Sequence, residues 1–155
     1  MKNNSLLSHR NKEPESSVLY IVGTPIGNLS DISLRGLDIL NNVDLIACED
    51  TRQTKKLMTK YQLKSNLISF NKHNTKSKIP KIINYLESGK SIALVSDAGL
   101  PCISDPGEEL INSIRLRALE VICIPGPCAA LTALVTSGLP SSKFVFEGFL
   151  PKKKI

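Results

Sequence analysis

Two carboxylates and a guanidinium lie close together in the segment EDTR, at Glu49, Asp50 and Arg52. A carboxylate with a raised pKa can accept a proton near neutral pH, and a guanidinium binds phosphate groups. The segment directly follows an apolar run, VDLIAC, so it is predicted to lie at the end of a buried strand. The structural alternative is that an acid or Thr51 caps the next helix. We favour a polar cluster that faces a substrate.

A second candidate is the segment VSDAGLPCISDPG at 95–107, which lies between an apolar run and a helical pattern. Strand-to-helix connections are usually about two to six residues long, and longer constrained loops are often functional. Asp97, Ala98 and Gly99 follow the apolar run directly. We therefore expect a carboxylate and backbone amides to face a ligand at this turn.

Asp105 in the same segment is assigned a structural role. With Glu108 three residues later and Pro106 between them, it matches a capping box with proline at the first helical position. The next helix is therefore predicted to begin at Pro106, and Asp105 is not proposed for chemistry.

Two more loops combine glycine with small or cyclic residues, GTPIGN at 23–28 and PGPCAA at 125–130. Glycine lets a ligand approach the backbone closely, and small residues leave room for a flat ligand. A plain turn is the structural alternative for GTPIGN. It is not GxGxxG, but the acids after the second apolar run keep a dinucleotide-binding dehydrogenase as a weak alternative.

His73 and the cysteines are the other reactive side chains. His73 follows the third apolar run in FNKHN and could accept a proton near neutral pH, although a lone histidine is more often structural. The cysteines show neither a CxxC pair nor a histidine at ligand spacing, so no metal is expected. They are predicted to be free thiols: Cys48, Cys102, Cys123 and Cys128.

The elements that position these segments repeat in one order, an apolar run, a loop and an amphipathic stretch. Such alternation predicts an α/β fold, a mostly parallel sheet of about five strands flanked by helices. Ligands bind at the carboxyl ends of the strands in such sheets, so the loops above should share one edge. The predicted strands are 18–22, 43–48, 67–70, 92–95 and 121–124, and helical spacing is marked by Leu34, Leu37 and Leu40, and by Ile79, Ile82, Ile83 and Leu86.

Three regions are expected along the chain. Residues 1–16 are polar and aperiodic and are predicted to be a disordered tail, and 17–140 form the α/β domain. FVFEGF at 144–149 is typical of a sixth strand, and a lone apolar strand would leave an exposed edge. We therefore interpret 141–155 as the start of a second domain that this chain does not contain.

Positive charge is concentrated between residues 52 and 90, which hold ten Lys or Arg and one acid, Glu87. This block is typical of nucleic-acid binding and also of solvated helix faces. No apolar run is long enough to cross a bilayer or to serve as a signal peptide. The sequence therefore predicts a cytoplasmic protein that does not bind membranes.

The motifs LYIVGTPIGNLSDIS, LIACEDTR, HN, VSDAGLPCISDPG, PGPCAALTAL and FEGFLP resemble, in this order, those of the tetrapyrrole methylase superfamily. Within it they are similar to the branch of small-subunit ribosomal RNA methyltransferases, over about residues 18–151. The resemblance implies S-adenosylmethionine as methyl donor, bound between an N-terminal and a C-terminal α/β domain in a homodimer. It implies 2′-O-methylation of a cytidine in small-subunit (16S) rRNA, with the rRNA or the 30S subunit as partner.

The resemblance also implies roles for single residues. Arg52 and Asn74 match the substrate region. No general base is assigned by the motifs, and Glu49, Asp50 and His73 are our hypotheses for it. The residues that match the cofactor-binding loops are Pro25, Ile26, Gly27, Asp97, Ala98, Gly99, Ile103, Cys128 and Ala129.

The resemblance predicts a second domain of comparable size after FEGFLP, which would form the other wall of the cofactor cleft. We therefore expect this chain alone to bind the cofactor weakly and to have little or no methyltransferase activity. One alternative is a non-catalytic remnant or RNA-binding module. Another is a methyltransferase for a tetrapyrrole or other small molecule, which is less favoured because the basic block suits RNA better.

Overall fold

A computed structural model describes residues 12–149 of the chain. Within this range the elements are β1 Val18–Val22, α1 Leu34–Asn42, β2 Leu45–Cys48, α2 Thr51–Tyr61, β3 Asn66–Ser69, α3 Thr75–Glu87, β4 Ile92–Val95, α4 Glu108–Arg115, β5 Glu120–Ile124 and α5 Ala129–Thr136. The five strands form one parallel sheet in the order β3-β2-β4-β1-β5, with the five helices around it. This confirms the predicted α/β class.

The sheet is covered on both faces, which explains why its strands read as continuous apolar runs. Every residue of β2 and β4 is buried, as is typical of parallel sheets between two helix layers. Ile39 of α1 and Leu57 of α2 belong to the core on one face. Ile82 of α3 and Leu110 of α4 belong to the core on the other face. None of the described helices is long and apolar enough to cross a membrane.

The strand register brings the carboxyl ends of the strands level with one another. Cys48 of β2 pairs with Val95 on one side and with Ser69 on the other, and Val22 of β1 pairs with Ile124. The loops that follow these strands therefore open at one edge of the sheet, as predicted. We call this the loop edge; it comprises residues 23–33, 49–50, 70–74, 96–107 and 125–128.

The start of α4 differs from the prediction. The helix begins at Glu108, and its N-cap is Gly107, which has a φ of +148° and makes no side-chain cap. Asp105 and Pro106 therefore precede the helix, and the predicted capping box is wrong. Gly107 takes the N-cap position, and the Asp105 carboxylate instead lies near Ser96, which lowers its pKa.

The sixth strand predicted at 144–149 is not formed. Val145 and Phe149 are 81% and 86% exposed, and no described strand lies beside this segment to share hydrogen bonds with it. Isolated extended chain is not stable as a strand in water. The proposed boundary between 17–140 and 141–155 stays a prediction, and residues 150–155 lie outside the described part.

The predicted disordered tail, 1–16, lies mostly outside the described residues, but its end is held by the domain. The Arg35 guanidinium donates two hydrogen bonds to the Glu13 carboxylate, at 2.7 and 2.8 Å. The Glu15 N–H donates to the Tyr20 hydroxyl at 2.8 Å. The contacts of the domain therefore extend before β1, at least as far as Glu13.

Candidate functional site

The loops that follow β1 and β4 are joined by a pair of backbone hydrogen bonds. The Thr24 N–H donates to the Gly99 carbonyl at 2.9 Å, and the Gly99 N–H donates to the Thr24 carbonyl at 3.1 Å. The buried Thr24 hydroxyl also donates to the Ser96 carbonyl at 3.2 Å. These bonds place Pro25 and Ile26 beside the SDAG turn.

The loop after β5 packs against the same two loops through backbone contacts. A Cβ on Gly23 would lie 2.6 Å from the Gly126 Cα, so both positions need glycine. A Cβ on Gly99, which has a φ of +83°, would lie 3.3 Å from Ile26 Cγ2 and 3.4 Å from the Pro127 carbonyl oxygen. The three loops thus form one wall with Gly99 at its centre.

The predicted cofactor residues are distributed over this wall with different exposure. Gly27 faces open space, because a Cβ there would meet nothing within 4 Å. Pro25 and Gly99 are buried, Ile26 and Cys128 are half-buried, and Asp97, Ala98 and Ala129 are exposed. The structure therefore brings the three predicted loops together, while the binding role of each residue stays a prediction.

Ile103 lies in a strained part of the loop after β4. The residues on either side of it, Cys102 and Ser104, have φ values of +71° and +64°, which non-glycine residues rarely adopt. Its side chain is 39% exposed although it is apolar. Strain of this kind is concentrated at ligand-binding and switch segments, which is consistent with the predicted cofactor contact of Ile103.

The EDTR segment is linked to the same wall by Asp97. The Asp50 N–H donates to Asp97 Oδ1 at 3.0 Å. The Asp97 backbone N–H also lies near the Glu49 carboxylate and lowers its pKa. Asp97 thus links both acids of this segment to the wall.

Glu49 is the predicted base whose surroundings best suit proton acceptance. Burial is the main cause that raises its pKa, and the carboxylates of Asp105 and Asp97 raise it further. The hydrogen bond from Asp97 and the charge of Lys72 oppose this shift. A carboxylate with a raised pKa is a stronger base than an ordinary one, so Glu49 can accept a proton more readily.

Asp50 has a structural role, as the capping alternative predicted. It is the N-cap of α2 and accepts from the Arg52 N–H at 2.8 Å. The Arg52 guanidinium also binds both of its carboxylate oxygens, at 2.6 to 3.1 Å. These bonds to Arg52 lower the pKa of Asp50 to about 2, which makes it a weak base. The Arg52 side chain remains 87% exposed and is accessible to a phosphate.

His73 and Asn74 lie in the turn between β3 and α3. The Asn74 side chain accepts from the Asn71 N–H at 2.9 Å and donates to the Ser69 carbonyl at 3.2 Å. Its amide therefore stabilises this turn. His73 is exposed, and its imidazole makes no hydrogen bond to any other described residue. Neither side chain forms a hydrogen bond or an ion pair with Glu49 or Asp97 among the described residues.

Asp105 is the site residue that sequence reasoning missed. Its pKa is raised, first by burial and then by the charge of Asp97, while the bond from Ser96 lowers it. It is thus the third carboxylate at this point of the loop edge. One pattern in the sequence indicates that Asp105 lies outside the helix. Gly107 precedes Glu108 and Glu109, and acids in the first turn favour a helix start at this point.

A small cavity connects this wall to α2. It has a volume of about 80 Å³ and is lined by Thr24, Ser96 and Asp97 from the loops and by Gln53 and Lys56 from α2, among others. The α2 residues were not predicted, because their position near the loops depends on how α2 packs on the sheet. A polar face of α2 therefore borders the loop edge.

Comparison with known proteins agrees with this fold and with these motifs. The family model for Tetrapyrrole (Corrin/Porphyrin) Methylases matches residues 18–152. A Thermotoga maritima protein named Ribosomal RNA small subunit methyltransferase I is 53% identical over 136 residues, which are 88% of this chain and 61% of the relative. A Bacillus subtilis protein of the same name is 51% identical over 144 residues, 93% of this chain and 49% of the relative. The chain thus spans about half to three fifths of these relatives.

Solved structures show the same fold at lower sequence identity. The crystal structure of uroporphyrin-III-C-methyltransferase from Thermus thermophilus superposes with a TM-score of 0.61 and 21% identity. The match covers 80% of this chain and 53% of that protein. At this identity the similarity establishes the fold alone.

Proposed function

Because this chain belongs to the tetrapyrrole methylase family, we propose that it takes part in S-adenosylmethionine-dependent 2′-O-methylation of a cytidine in small-subunit ribosomal RNA. The observation that carries the proposal is the wall of three loops around Gly99, with Glu49 held against it by Asp97. The relatives named for this activity are longer than this chain, so their activity is assigned to it as a proposal.

The residues at the loop edge fit this cofactor chemically. S-adenosylmethionine combines a flat adenine ring with a positively charged sulfonium and an amino-acid group. Ile103 and Ala129 are exposed and can contact the ring, and the carboxylates of Glu49 and Asp97 can face the positive charge. We propose that the cofactor binds against the wall of Pro25, Ile26, Gly27, Asp97, Ala98, Gly99, Ile103, Cys128 and Ala129.

When bound, S-adenosylmethionine would supply an electrophilic methyl group for a ribose 2′-hydroxyl oxygen, with the carbon–sulfur bond breaking and S-adenosylhomocysteine leaving as the neutral thioether. Glu49 accepts the proton that the hydroxyl loses, which makes the oxygen a better nucleophile. The Asp97 N–H orients the Glu49 carboxylate, and the Asp50 N–H orients Asp97. Arg52 binds a phosphate of the RNA and positions the ribose without recognising the base.

The proposed substrate also defines partners and location. We propose that the protein acts on ribosomal RNA or on the 30S subunit in the cytoplasm, and that it does so as a homodimer. An exposed apolar surface supports an association of this kind, because α5 has no buried residue. Leu131 and Val135 of this helix are 48% and 72% exposed.

Cofactor binding is the direct test. Isothermal titration of S-adenosylmethionine into the folded chain should show binding. Ala98→Phe should weaken it at least tenfold, because a ring there would occupy the surface beside Gly99. Asn84→Phe, at an exposed position of α3, is the matched control. A folded chain that binds no S-adenosylmethionine at millimolar concentration would contradict the proposed cofactor site.

A non-catalytic RNA-binding module is the second candidate. Eight lysines between residues 55 and 81 make no ion pair with any described residue, and unpaired lysines of this kind bind phosphate. Transfer of a radiolabelled methyl group to small-subunit rRNA separates the two functions. RNA binding by a chain that binds no cofactor and transfers no methyl group would favour the second candidate.

A further inference from the structure

The basic block is one segment in the sequence but two separate surfaces in the structure. Leu57 attaches α2 to the core on one face of the sheet, whereas Ile82 attaches α3 to the core on the other. The exposed lysines of the two helices therefore face solvent on opposite sides of the domain. The two surfaces can therefore be tested separately for RNA binding.

The α2 helix carries basic side chains and no acid of its own, and only Arg52 among them is ion-paired with a described acid, Asp50 at the N-cap. No acid occurs between residues 51 and 86, so the α2 helix contains none. Arg52, Lys56 and Lys60 are all exposed, and their spacing of four residues places them on one side of the helix, about 6 Å apart along its axis. We call these three residues the α2 stripe. Its lysines form no ion pair with a described residue.

The α2 stripe also borders the site itself. Lys56 lines the small cavity next to Asp97, and Arg52 is close enough for the charge of Asp97 to raise its pKa. Lys60 Nζ lies 2.9 Å from the hydroxyl of Ser30 in the loop after β1. A strand held along the stripe would therefore lead to the loop edge.

The surface on α3 is compensated by acids. Lys76 at its first turn lines a cleft together with Asp105, Glu108 and Glu109. Carboxylates reduce the positive potential and repel phosphate. The α3 side is consequently less favourable for an RNA strand than the α2 side, although it contributes as many lysines to the basic block.

We propose that the RNA backbone crosses the α2 stripe, with phosphates bound by Arg52, Lys56 and Lys60, and that the lysines of α3 do not contact it. This rests on the proposed function, since it assumes ribosomal RNA as the substrate. The stripe binds the backbone and contributes affinity, not base specificity.

Two matched double variants of the full chain test the proposal. Lys56→Gln with Lys60→Gln removes two charges from the stripe, and Lys76→Gln with Lys81→Gln removes two exposed charges from α3. Fluorescence anisotropy with a labelled fragment of small-subunit rRNA, measured over a series of salt concentrations, gives affinity and its salt dependence. Thermal unfolding of each variant verifies that it is folded.

The stripe variant should bind about 20-fold more weakly at about 0.1 M salt, and its slope of log K against log salt should fall by about 1.4, since each lost single-strand phosphate contact removes about 0.7. The α3 variant should bind like the unchanged chain. If both variants lose the same affinity, or if neither variant loses affinity, the proposed role of the α2 stripe is wrong. Either result leaves the proposed function intact. Absence of RNA binding by the unchanged chain at low salt overturns the stripe and the RNA substrate together, while cofactor titration still tests the methylase assignment.

Discussion

Gly23 and Gly126 face each other across two loops so closely that a Cβ on Gly126 would lie 2.7 Å from the Gly23 Cα. The obstructing atoms belong to the backbone, so no side-chain rotation can relieve the contact. The loops after β1 and β5 can therefore approach each other only because neither residue has a side chain.

The first prediction concerns this contact. Gly126→Ala should destabilise the fold by about 1 to 3 kcal/mol, because the added methyl group forces the two loops apart. Denaturant unfolding followed by circular dichroism measures the change. Gly27→Ala is the control, since a Cβ there meets nothing within 4 Å. Equal stability of both variants would show that the loops are not in contact in solution.

The second prediction separates the function of Glu49 from stability. The pKa of Glu49 is higher in the folded state than in the unfolded state. Between these two pKa values the folded state binds more protons, so the stability of the fold decreases as the pH rises through this range. Glu49→Gln removes this cost. The variant should be at least as stable as the unchanged chain at pH 7. Where the unchanged chain transfers methyl groups to rRNA, Glu49→Gln should lose this transfer in a side-by-side assay.

Thermal unfolding at pH 4 and pH 7 measures the first effect. The advantage of Glu49→Gln over the unchanged chain should be larger at pH 7. A variant that is less stable at pH 7 would contradict the assigned burial, and one that transfers methyl groups at an unchanged rate would exclude Glu49 as the base.

The third prediction concerns Asp50, which has the opposite shift. Its pKa is lowered to about 2 by Arg52, so its contribution to stability is present above the ordinary pKa and is lost as pH falls towards 2. Asp50→Asn keeps an N-cap side chain but removes the ion pair. It should lower the Tm at pH 7 and make it less sensitive to acid, and it should reduce methyl transfer less than Glu49→Gln does.

The fold could be predicted from the sequence because its signals are local. The strand at 92–95 is an apolar run between polar segments and was predicted with the observed bounds. The end of α3 also has a local signal, since Gly89 follows the helix with a positive φ of +86°, which glycine adopts readily. The start of α4 was not, because Asp105 and Gly107 both permit a helix start, and the structure uses Gly107.

The site was predictable as a set of loops but not as a set of contacts. Parallel strands bring their carboxyl ends to one edge, so loops after β1, β4 and β5 had to be neighbours. Individual contacts depend on long-range packing. Asp97 accepts a hydrogen bond from the Asp50 N–H. Lys56 borders the loops, whereas Lys76 lies beside α4. The net charge of residues 52–90 can be read from the sequence. The packing of α2 and α3 on different faces of the sheet then shows that the lysines of the two helices lie on opposite sides of the domain.

The last prediction concerns Asp105, whose charge raises the pKa of Glu49. Asp105→Asn keeps a similar shape but removes the charge, so the pKa of Glu49 should fall. A ¹³C NMR titration of the Glu49 carboxyl carbon measures this directly and does not require activity. Where methyl transfer is measurable, its rise with pH should move to lower pH, because Glu49 loses its proton earlier. Glu108→Gln is the matched control, since it removes a neighbouring charge that is not a cause of the Glu49 shift. An unchanged titration of Glu49 in Asp105→Asn would show that the two carboxylates do not interact.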